Sequence, residues 1–374
     1  MIMWQKFILK TISKLSLIAL FWLIFTTYAQ AALELRVAIK KGVNNLQIGS
    51  STPALIKNSA GQIIGQVEGM NSFVAKANGG NVNLAQWNSN RIWLEPSGDG
   101  VIWIGDRWYR GRVLLSRQGS GITAVNHVDI EDYLYSVVGA EAIPSWPQEA
   151  LKAQAVAART YALYKRNTSK NSVFDLDTTT ATQVYKGLGS EYTTTHQAVK
   201  STNGQIMTYN NQPILAVFHS SSGGHTENVE DIWISPLPYL RGVVDYDQTA
   251  PVFQWNKTVS PSSISRVVGS VGNIRALVPQ KITPQGRIVT MQIVGDRSTK
   301  TVAGSDLRSA LDLRSTLFRI SSAGNGLQVS GRGFGHGLGL SQWGTYYLAQ
   351  NGVDYRQILG HYYQNARLAT MKTR

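Results

Sequence analysis

The chain has 374 residues and no cysteine, so it can form no disulfide and can use neither a thiolate nucleophile nor a cysteine-ligated zinc site. Its formal net charge of +14 favours an anionic partner, such as nucleic acid, an acidic membrane or an acidic polymer. The basic residues are scattered rather than gathered in a run, so nucleic-acid binding is not specifically supported.

The N-terminus has the order of residues typical of a secretory signal peptide. Lys6, Lys10 and Lys14 precede an apolar run over residues 15–25, and Ala29-Gln-Ala31 has the small residues of a cleavage site. The alternative is an uncleaved membrane anchor, but the run is shorter than the roughly 20 residues of a usual spanning helix. We therefore predict an exported protein that is not integral to the membrane after cleavage.

Cleavage would leave a large basic protein. Removing residues 1–31 leaves 343 of the 374 residues and lowers the net charge from +14 to +11, because three lysines and no acidic residue are lost. A chain of this length usually divides its core between subdomains. Export also argues against nucleic acid as the partner.

The first part of the mature chain is predicted to be rich in β-strands. Residues 33–39 alternate between apolar and polar side chains, as one strand of a sheet does. Residues 101–104 and 108–115 flank a glycine-containing turn and predict a hairpin. We expect a β-rich N-terminal region over residues 32–125, which contains no catalytic constellation.

One long helix is predicted to be central to the second part. Residues 148–166 are mainly alanine and other good helix formers, and the many alanines would let neighbours pack closely. Residues 145–148 match a capping box, with Pro147 in the first turn.

Shorter elements follow. Residues 287–294 predict a strand, and Ser305, Ser341 and Asp354 are predicted to begin helices. The mixture predicts an α+β fold with a β-rich N-terminal part and a mixed catalytic core built around the alanine-rich helix. We expect the core to span residues 126–374, with an inserted subdomain at residues 255–325.

Five glycines alternate along the sequence GRGFGHGLGLSQWG at residues 331–344. A dinucleotide-binding loop is excluded, because His336 and Leu338 occupy positions that would need glycine, and a P-loop would need a lysine. In an extended segment, alternate glycines would leave one face as bare backbone that a ligand or another chain could approach. A glycine-rich turn that serves only packing fits the same spacing.

Glu141 is the first candidate for chemistry, since it lies in the largely apolar stretch VVGAEAIP at residues 137–144. Apolar surroundings raise the pKa of a carboxyl, and a glutamate that stays protonated near neutral pH can act as a general acid. A solvent-facing or salt-bridged glutamate is the alternative.

Two further sets of polar residues allow more than one interpretation. Lys152 and Arg159 share one face of the predicted helix, where they would either hold a carboxylate or form a solvated surface. His219 and His225, near Glu227 and Asp231, could ligate zinc, although their spacing matches no strong metal motif. Ser222 is a weak candidate for acyl transfer, because Ser-Gly-Gly is not a G-x-S-x-G elbow.

The chain resembles the stage II sporulation protein D family, also called the amidase-enhancer family. The resemblance is carried, in the family's order, by EDYL at 131–134, VVGAE at 137–141, WPQEALKAQAVAARTYA at 146–162, HSSSGG at 219–224 with TE at 226–227, PYL at 238–240 and GFGHGLGLSQWG at 333–344. It extends from about residue 33 to the end of the chain.

The resemblance implies a role in bacterial cell-wall remodelling and a location in the periplasm or cell wall. The N-terminal region would then either bind the wall or support the rest of the chain. Sporulation members of the family are lytic transglycosylases, which cut between N-acetylmuramic acid and N-acetylglucosamine in peptide-stripped strands and leave a 1,6-anhydro end. It implies that Glu141 is the catalytic acid and base and that Lys152 and Arg159 bind substrate.

We further assign His219 and Ser222, and His336 and Gln342 of the glycine block, as substrate-binding residues. Some family members bind zinc through cysteine-containing clusters, whereas this chain has no cysteine, so we predict no metal and no other cofactor.

The predicted partners are peptidoglycan glycan strands and, as a candidate, a cell-wall amidase. Two alternatives to an enzyme stay open: a wall-bound module that stimulates an amidase without cutting, and a scaffold with no affinity for glycan.

Overall fold

A computed structural model describes residues 33–371, except residues 180–181, 234, 270 and 324–325. The predicted signal peptide lies outside the described residues. Within the described part of the chain, no helix combines the length and apolarity that crossing a membrane requires.

The described segments contain short strands throughout and helices only after residue 129. The strands are β1 (Glu34–Val43), β2 (Asn45–Ser50), β3 (Ala54–Lys57), β4 (Ile63–Val67), β5 (Ser72–Asn78), β6 (Asn81–Leu84), β7 (Trp87–Ser89), β8 (Arg91–Pro96), β9 (Ile102–Ile104), β10 (Arg107–Tyr109), β11 (Arg112–Gln118), β12 (Gly121–Asp129), β13 (Leu176–Asp177), β14 (Gln205–Tyr209), β15 (Gln212–Pro213), β16 (Phe218–His219), β17 (Gln254–Val259), β18 (Ile274–Ile282), β19 (Ile288–Gly295), β20 (Thr299–Ala303), β21 (Phe318–Ala323), β22 (Gly326–Arg332), β23 (Leu340–Ser341) and β24 (Arg367–Thr370).

The helices are α1 (Ile130–Glu141), α2 (Gln148–Thr168), α3 (Thr193–Ser201), α4 (Val229–Ile232), α5 (Pro261–Val268), α6 (Gly304–Ala310), α7 (Gln342–Gln350) and α8 (Tyr355–Tyr362), and a 3₁₀ helix spans Gly187–Ser190. This combination of helices with several sheets confirms the predicted α+β class.

Two sheets contain the strands that precede α1. One has the order β13-β1-β12-β11-β8-β3-β4 and the other β10-β9-β2-β5-β6-β7. They pack on each other through β8, β11 and β12 on one side and β2, β5 and β6 on the other. Alternate apolar residues fill the space between them, such as Ile92 and Leu94 of β8 and Ile48 of β2, which are fully buried.

The predicted hairpin forms, but it is shorter than expected. Strands β9 and β10 pair from Ile102 opposite Tyr109 to Ile104 opposite Arg107. The chain then turns at Gly111, whose φ is +79°, and β11 joins the other sheet between β8 and β12. The single second strand predicted over residues 108–115 is wrong, because its alternating pattern continues across a turn at which the chain passes from one sheet to the other.

Helix α2 is central, as its alanine content predicted. It packs against α1, α3, α7, α8 and β14 and is buried on most of its surface. The predicted capping box is wrong, because Pro147 itself occupies the cap position and no side chain accepts a hydrogen bond there.

The helix starts at Ser341 and Asp354 are confirmed. The Ser341 side chain accepts a hydrogen bond from the Gly344 N–H, and Asp354 forms a capping box with Gln357. Ser305 is not a cap, because α6 begins one residue earlier, where Gly304 packs against the Ile288 carbonyl.

Residues 255–329 contribute a separate cluster of buried apolar side chains. It draws on the sheets β17-β22-β21 and β18-β19-β20 and on helices α5 and α6. The inserted subdomain at residues 255–325 stays a prediction.

A fully buried arginine joins the helices around the core. The Arg159 Nε and Nη2 atoms lie 2.7 and 2.6 Å from the two carboxylate oxygens of Glu131 on α1. The same guanidinium donates to the carbonyls of Val199 and Gln205, and the Gly204 N–H donates to Glu131. One ion pair therefore connects α1, α2, α3 and the start of β14.

Replacing Arg159 with alanine should destabilise the fold strongly. The change leaves the Glu131 carboxylate without its partner and several buried carbonyls without a donor, so we expect a loss of about 3–5 kcal/mol in the free energy of unfolding. Urea unfolding followed by circular dichroism measures the loss.

The exposed Arg166 on the same helix is the matched control, and Arg166→Ala should change the stability by less than about 0.5 kcal/mol. Equal stability of the two variants would show that the fold does not depend on the buried guanidinium.

Candidate active site

Glu141 lies at the C-terminal end of α1, next to the 3₁₀ helix. Helix α1 lies close to the 3₁₀ helix because Gly139 has no side chain. A Cβ at that position would overlap the carbonyl oxygen of Ser190. Gly139, two residues before Glu141, therefore lets the end of α1 pass close to the 3₁₀ helix.

That segment supplies a hydrogen bond to the Glu141 carboxyl. The backbone N–H of Val184 donates to Glu141 Oε1 at 2.6 Å. The neighbouring Gln183 is buried and fixed on both sides: it accepts from the Tyr133 hydroxyl at 3.1 Å and donates to the Ala158 carbonyl at 3.2 Å. Helices α1 and α2 therefore hold the donor in place.

The surroundings keep the Glu141 carboxyl more protonated than an ordinary glutamate. Burial raises its pKa above the usual 4.5, and the Val184 N–H, the Gln342 amide and the positive charge of Lys186 offset part of that rise. The C-terminal end of α1 acts in the same direction as burial, since the helix dipole is negative there. This is the behaviour that the apolar sequence around Glu141 suggested.

A cavity of about 530 Å³ opens beside Glu141. Its walls come from α1, α2, α6, β16, the glycine block and the intervening loops. The lining residues are Glu141, Tyr161, Lys165, Thr182, Leu215, Val217, Phe218, His219, Ser220, Trp233, Arg308, Phe334, Gly335, His336 and Gln342. Four of the predicted site residues, Glu141, His219, His336 and Gln342, are therefore brought together.

Pairing between two distant motifs forms one wall of the cavity. Strands β16 and β23 are parallel, with His219 opposite Ser341. Ser221 and Phe334 exchange backbone hydrogen bonds of 3.0 and 2.8 Å. The His-Ser-Ser-Ser-Gly-Gly block and the glycine block thus form one structural unit.

The alternate glycines of this block do not present a bare face to a ligand. The glycines at 333, 335, 337 and 339 all have positive φ, from +66° to +121°, so the chain turns at each of them instead of extending. A Cβ on Gly335 would lie 2.6 Å from the Cβ of His219, and one on Gly337 would overlap the guanidinium of the buried Arg287. The bare glycine face expected from an extended segment is therefore wrong, because protein fills that space.

The two histidines of the cavity differ in their hydrogen bonds. His336 donates from Nε2 to the Phe218 carbonyl at 3.0 Å and accepts from the Leu338 N–H at Nδ1, also at 3.0 Å. His219 donates from Nδ1 to the Leu338 carbonyl at 3.1 Å, and its Nε2 has no hydrogen-bond partner among the described residues. Burial lowers the pKa of both rings, that of His336 to about 4, so the buried His219 Nε2 is unprotonated at neutral pH.

Gln342 connects the glycine block to the base of the site. It is the first residue of α7, and its Nε2 donates to the backbone carbonyl of Glu141 at 3.0 Å and to Gln154 Oε1 at 3.4 Å. Gln342 therefore positions the end of α1 through its amide group.

The cavity combines one carboxyl with two basic and two exposed aromatic side chains. Glu141 is the one acidic residue among the lining residues given above, and Lys165 and Arg308 are the basic ones. Trp233 and Phe334 expose 39% and 40% of their surface. Exposed rings offer flat apolar contact area, and the cations suit an anionic ligand.

Three predicted substrate-binding residues lie outside this cavity. Lys152 forms an ion pair of 2.6 Å with Glu149. Arg159 is fully buried in the ion pair described above, and Ser222 is fully buried with its hydroxyl donating to Asp245 at 2.5 Å. A substrate contact by Arg159 or Ser222 is therefore wrong, because neither side chain reaches the surface.

The alternative set of zinc ligands, His219, His225, Glu227 and Asp231, does not converge. Among the residues with described coordinates, no three histidine or acidic side chains come close enough to hold a metal ion. Glu227 accepts a hydrogen bond of 2.7 Å from Thr283. With no cysteine in the sequence, the residues present do not fit the zinc clusters of some family members.

Sequence reasoning missed Val184, Lys165, Arg308, Trp233 and Phe334. Val184 acts through its backbone N–H, which no side-chain pattern reveals. Arg308 comes from α6, more than 160 residues away in sequence, and reaches the site only through the tertiary fold. Phe334 lies within the glycine block and is the one residue of the five that its motif could have indicated.

Two known sequence families match the segments that form this site. The sequence profile of a family described as stage II sporulation protein matches residues 118–209, which include α1, α2 and Glu141. A domain of unknown function matches residues 238–339, which include β17 to β22 and much of the glycine block.

Three related proteins align with a longer part of the chain than either family does. An uncharacterized protein of Brachyspira hyodysenteriae is 34% identical over 264 residues, covering 68% of this chain and 70% of that protein. Stage II sporulation protein D of Bacillus subtilis is 35% identical over 271 residues, covering 66% and 76%. The Bacillus subtilis amidase enhancer is 30% identical over 292 residues, covering 63% of this chain and 40% of that protein. The chain belongs to the stage II sporulation protein D family.

Replacing Gly335 with alanine should disrupt the wall of the cavity. The position has a φ of +121°, and the new Cβ would press on His219, so we expect a loss of roughly 2–5 kcal/mol in the free energy of unfolding. Thermal and urea unfolding measure it.

Gly360 in α8 is the matched control, because it has open space around it and no positive φ. Gly360→Ala should leave the stability unchanged or raise it by up to about 1 kcal/mol. If Gly335→Ala were as stable as Gly360→Ala, the close packing at His219 would not constrain the fold.

Proposed function

We propose that the protein is an exported peptidoglycan-remodelling enzyme, a lytic transglycosylase that cleaves N-acetylmuramic acid–N-acetylglucosamine bonds in peptide-stripped strands. The observation that carries the proposal is the half-buried Glu141 carboxyl, whose pKa is raised, on the wall of a cavity of about 530 Å³. Family membership supports a function related to sporulation or the cell wall, and the predicted signal peptide supports export to the periplasm or cell wall.

Glu141 would act first as an acid and then as a base. In its protonated form it gives its proton to the glycosidic oxygen, and the bond between that oxygen and the anomeric carbon of N-acetylmuramic acid breaks. The resulting carboxylate takes the proton of the 6-hydroxyl of the same sugar, and that oxygen bonds to the anomeric carbon. The product has a 1,6-anhydro end, no water is consumed, and Glu141 is protonated again.

A single carboxylate suffices for this reaction. Ordinary glycosidases need a second one as nucleophile or as base for water. Here the attacking hydroxyl belongs to the substrate, and Glu141 is the one acidic group on the described cavity wall. His219 Nε2 is buried without a hydrogen-bond partner among the described residues, and it holds no proton to compete with Glu141 as the acid.

The charge of the cavity suits stripped glycan. Removal of the peptide stems exposes lactyl carboxylates on N-acetylmuramic acid, and Lys165 and Arg308 line the cavity. These two residues take the anion-binding role that the sequence had suggested for Lys152 and Arg159.

A second candidate function is favoured by the similarity to the protein named amidase enhancer. In that case the chain would bind glycan and stimulate a separate cell-wall amidase without cleaving the strand. The two functions differ in whether Glu141 must change its protonation state.

Glu141→Gln should abolish strand cleavage and keep the fold. We expect kcat/KM on peptide-stripped strands to fall by about 10²–10⁴-fold, because the amide cannot transfer a proton. Mass spectrometry of the products from the unaltered chain should show fragments lighter by one water than hydrolysis products, which marks the anhydro end.

The exposed Glu68→Gln is the matched control and should cleave like the unaltered chain. Hydrolytic ends would instead indicate a muramidase. Absence of cleavage, with equal amidase stimulation by the unaltered chain and Glu141→Gln, would favour the enhancer.

Folding of Glu141→Gln is checked by its stability. A raised pKa means that the folded state prefers the neutral carboxyl, so Glu141 costs stability above its folded pKa and not below the unfolded value of about 4.3. The variant should therefore melt at the same temperature as the unaltered chain, or a few degrees higher, at pH 7.

The pH dependence of cleavage should follow the protonation of Glu141. Activity is lost as the pH rises through the Glu141 pKa, because the acid form starts the reaction. Lys186 lowers that pKa, so Lys186→Met should move the alkaline limb of the kcat/KM profile to higher pH. An unchanged limb, or one moved to lower pH, would contradict Glu141 as the acid.

A further inference from the structure

A second cavity of about 530 Å³ adjoins the one beside Glu141. Phe334 lines both of them, and 40% of its surface is exposed. The second cavity is otherwise lined by residues at the start of β17 and in the turn that follows α6, among them Lys257, Asp312 and Arg314. Its volume lies in the range of ordinary ligand sites.

Arg314 stands at the boundary between the two cavities. Its guanidinium carbon lies 5.8 Å from the centre of the Phe334 ring, within the range of a cation–π contact. Its backbone is tied to the glycine block, because the Gly335 N–H donates to the Arg314 carbonyl at 2.9 Å. The arginine is therefore held beside the aromatic ring by both its side chain and its backbone.

The charge of Arg314 is not neutralised within the described structure. No carboxylate among the described residues lies within 4.0 Å of its guanidinium, and its side chain is exposed. Lys257, in contrast, pairs with Asp312 at 3.0 Å. Arg314 is thus the cation of the second cavity that is available to an anionic ligand.

We propose that the second cavity is an additional glycan subsite, in which Phe334 supports the strand as it leaves the Glu141 cavity and Arg314 binds the lactyl carboxylate of the next N-acetylmuramic acid. This inference rests on the proposed glycan substrate. An arginine can bind a carboxylate through two parallel hydrogen bonds, which a neutral sugar does not offer. The subsite therefore selects strands without peptide stems, since a stem converts that carboxylate to an amide.

The test measures binding, so that it does not depend on cleavage. The full chain carrying Glu141→Gln is titrated calorimetrically with peptide-stripped strands long enough to extend beyond the Glu141 cavity, and with chitin oligosaccharides of the same length. Chitin has the same backbone without lactyl carboxylates. Adding Arg314→Ala should weaken binding of the stripped strands roughly tenfold and change binding of chitin by less than about twofold.

Arg275→Ala is the matched control. Arg275 is an exposed arginine of β18 in the same part of the chain, and it lines neither cavity. This change removes the same charge and should alter both affinities by less than about twofold. Arg314→Lys should retain part of the affinity that Arg314→Ala loses, because the positive charge is kept.

Three results would overturn the subsite. The first is that Arg314→Ala and Arg275→Ala weaken the binding of stripped strands equally. The second is that Arg314→Ala weakens the binding of stripped strands and of chitin equally. The third is that the chain carrying only Glu141→Gln does not bind stripped strands. Cleavage by the chain with Glu141 intact is assayed separately. The subsite can therefore fail while the proposed reaction stands, and the reaction can fail while the subsite stands.

Discussion

The cavity depends on a close backbone approach that only residues without a Cβ permit. At Gly335 and Gly337, the chain passes directly against His219 and the buried Arg287, and positive φ angles at alternate positions turn it around them. This approach allows β16 to pair with β23 and so places His219, His336 and Phe334 on one wall. Gly139 likewise lets α1, which carries Glu141, pass directly against the Ser190 carbonyl. The glycines thus shape the cavity indirectly, by positioning the side chains that line it.

The charged side chains of the site fall into two groups: those buried in the core and those that line a cavity. Arg159 and Arg287 are almost completely buried, and their guanidinium groups connect elements of the core. Lys165, Arg308 and Arg314 line cavities instead. Glu141 lies between these extremes, since it is buried enough to raise its pKa and open enough to line the cavity. A carboxyl held in this way costs stability when it ionises, and such a cost is typical of sites that perform chemistry.

Local patterns predicted the elements better than the contacts between them. The alanine-rich helix and the caps at Ser341 and Asp354 were evident because their signals lie within a few neighbouring residues. The predicted second strand of the hairpin is too long, because an alternating pattern does not reveal that the chain changes sheets at Gly111. Lys152 and Arg159 do share a helix face, as their spacing requires. Spacing alone could not show that Arg159 faces Glu131 and the core, where substrate cannot reach it.

The sequence by itself determined the α+β class, the absence of cysteine chemistry, the positive charge and an apolar environment for Glu141. These properties depend on composition and on residues close together in the chain. Only the tertiary structure decided which polar groups meet Glu141, because the Val184 N–H, Lys165, Arg308 and Gln342 come from segments far apart in sequence. It also decided which histidine nitrogen lacks a hydrogen-bond partner among the described residues, since that depends on carbonyl and N–H groups placed by the pairing of β16 with β23. Chain entropy and packing settle such long-range contacts together, and no local pattern encodes them.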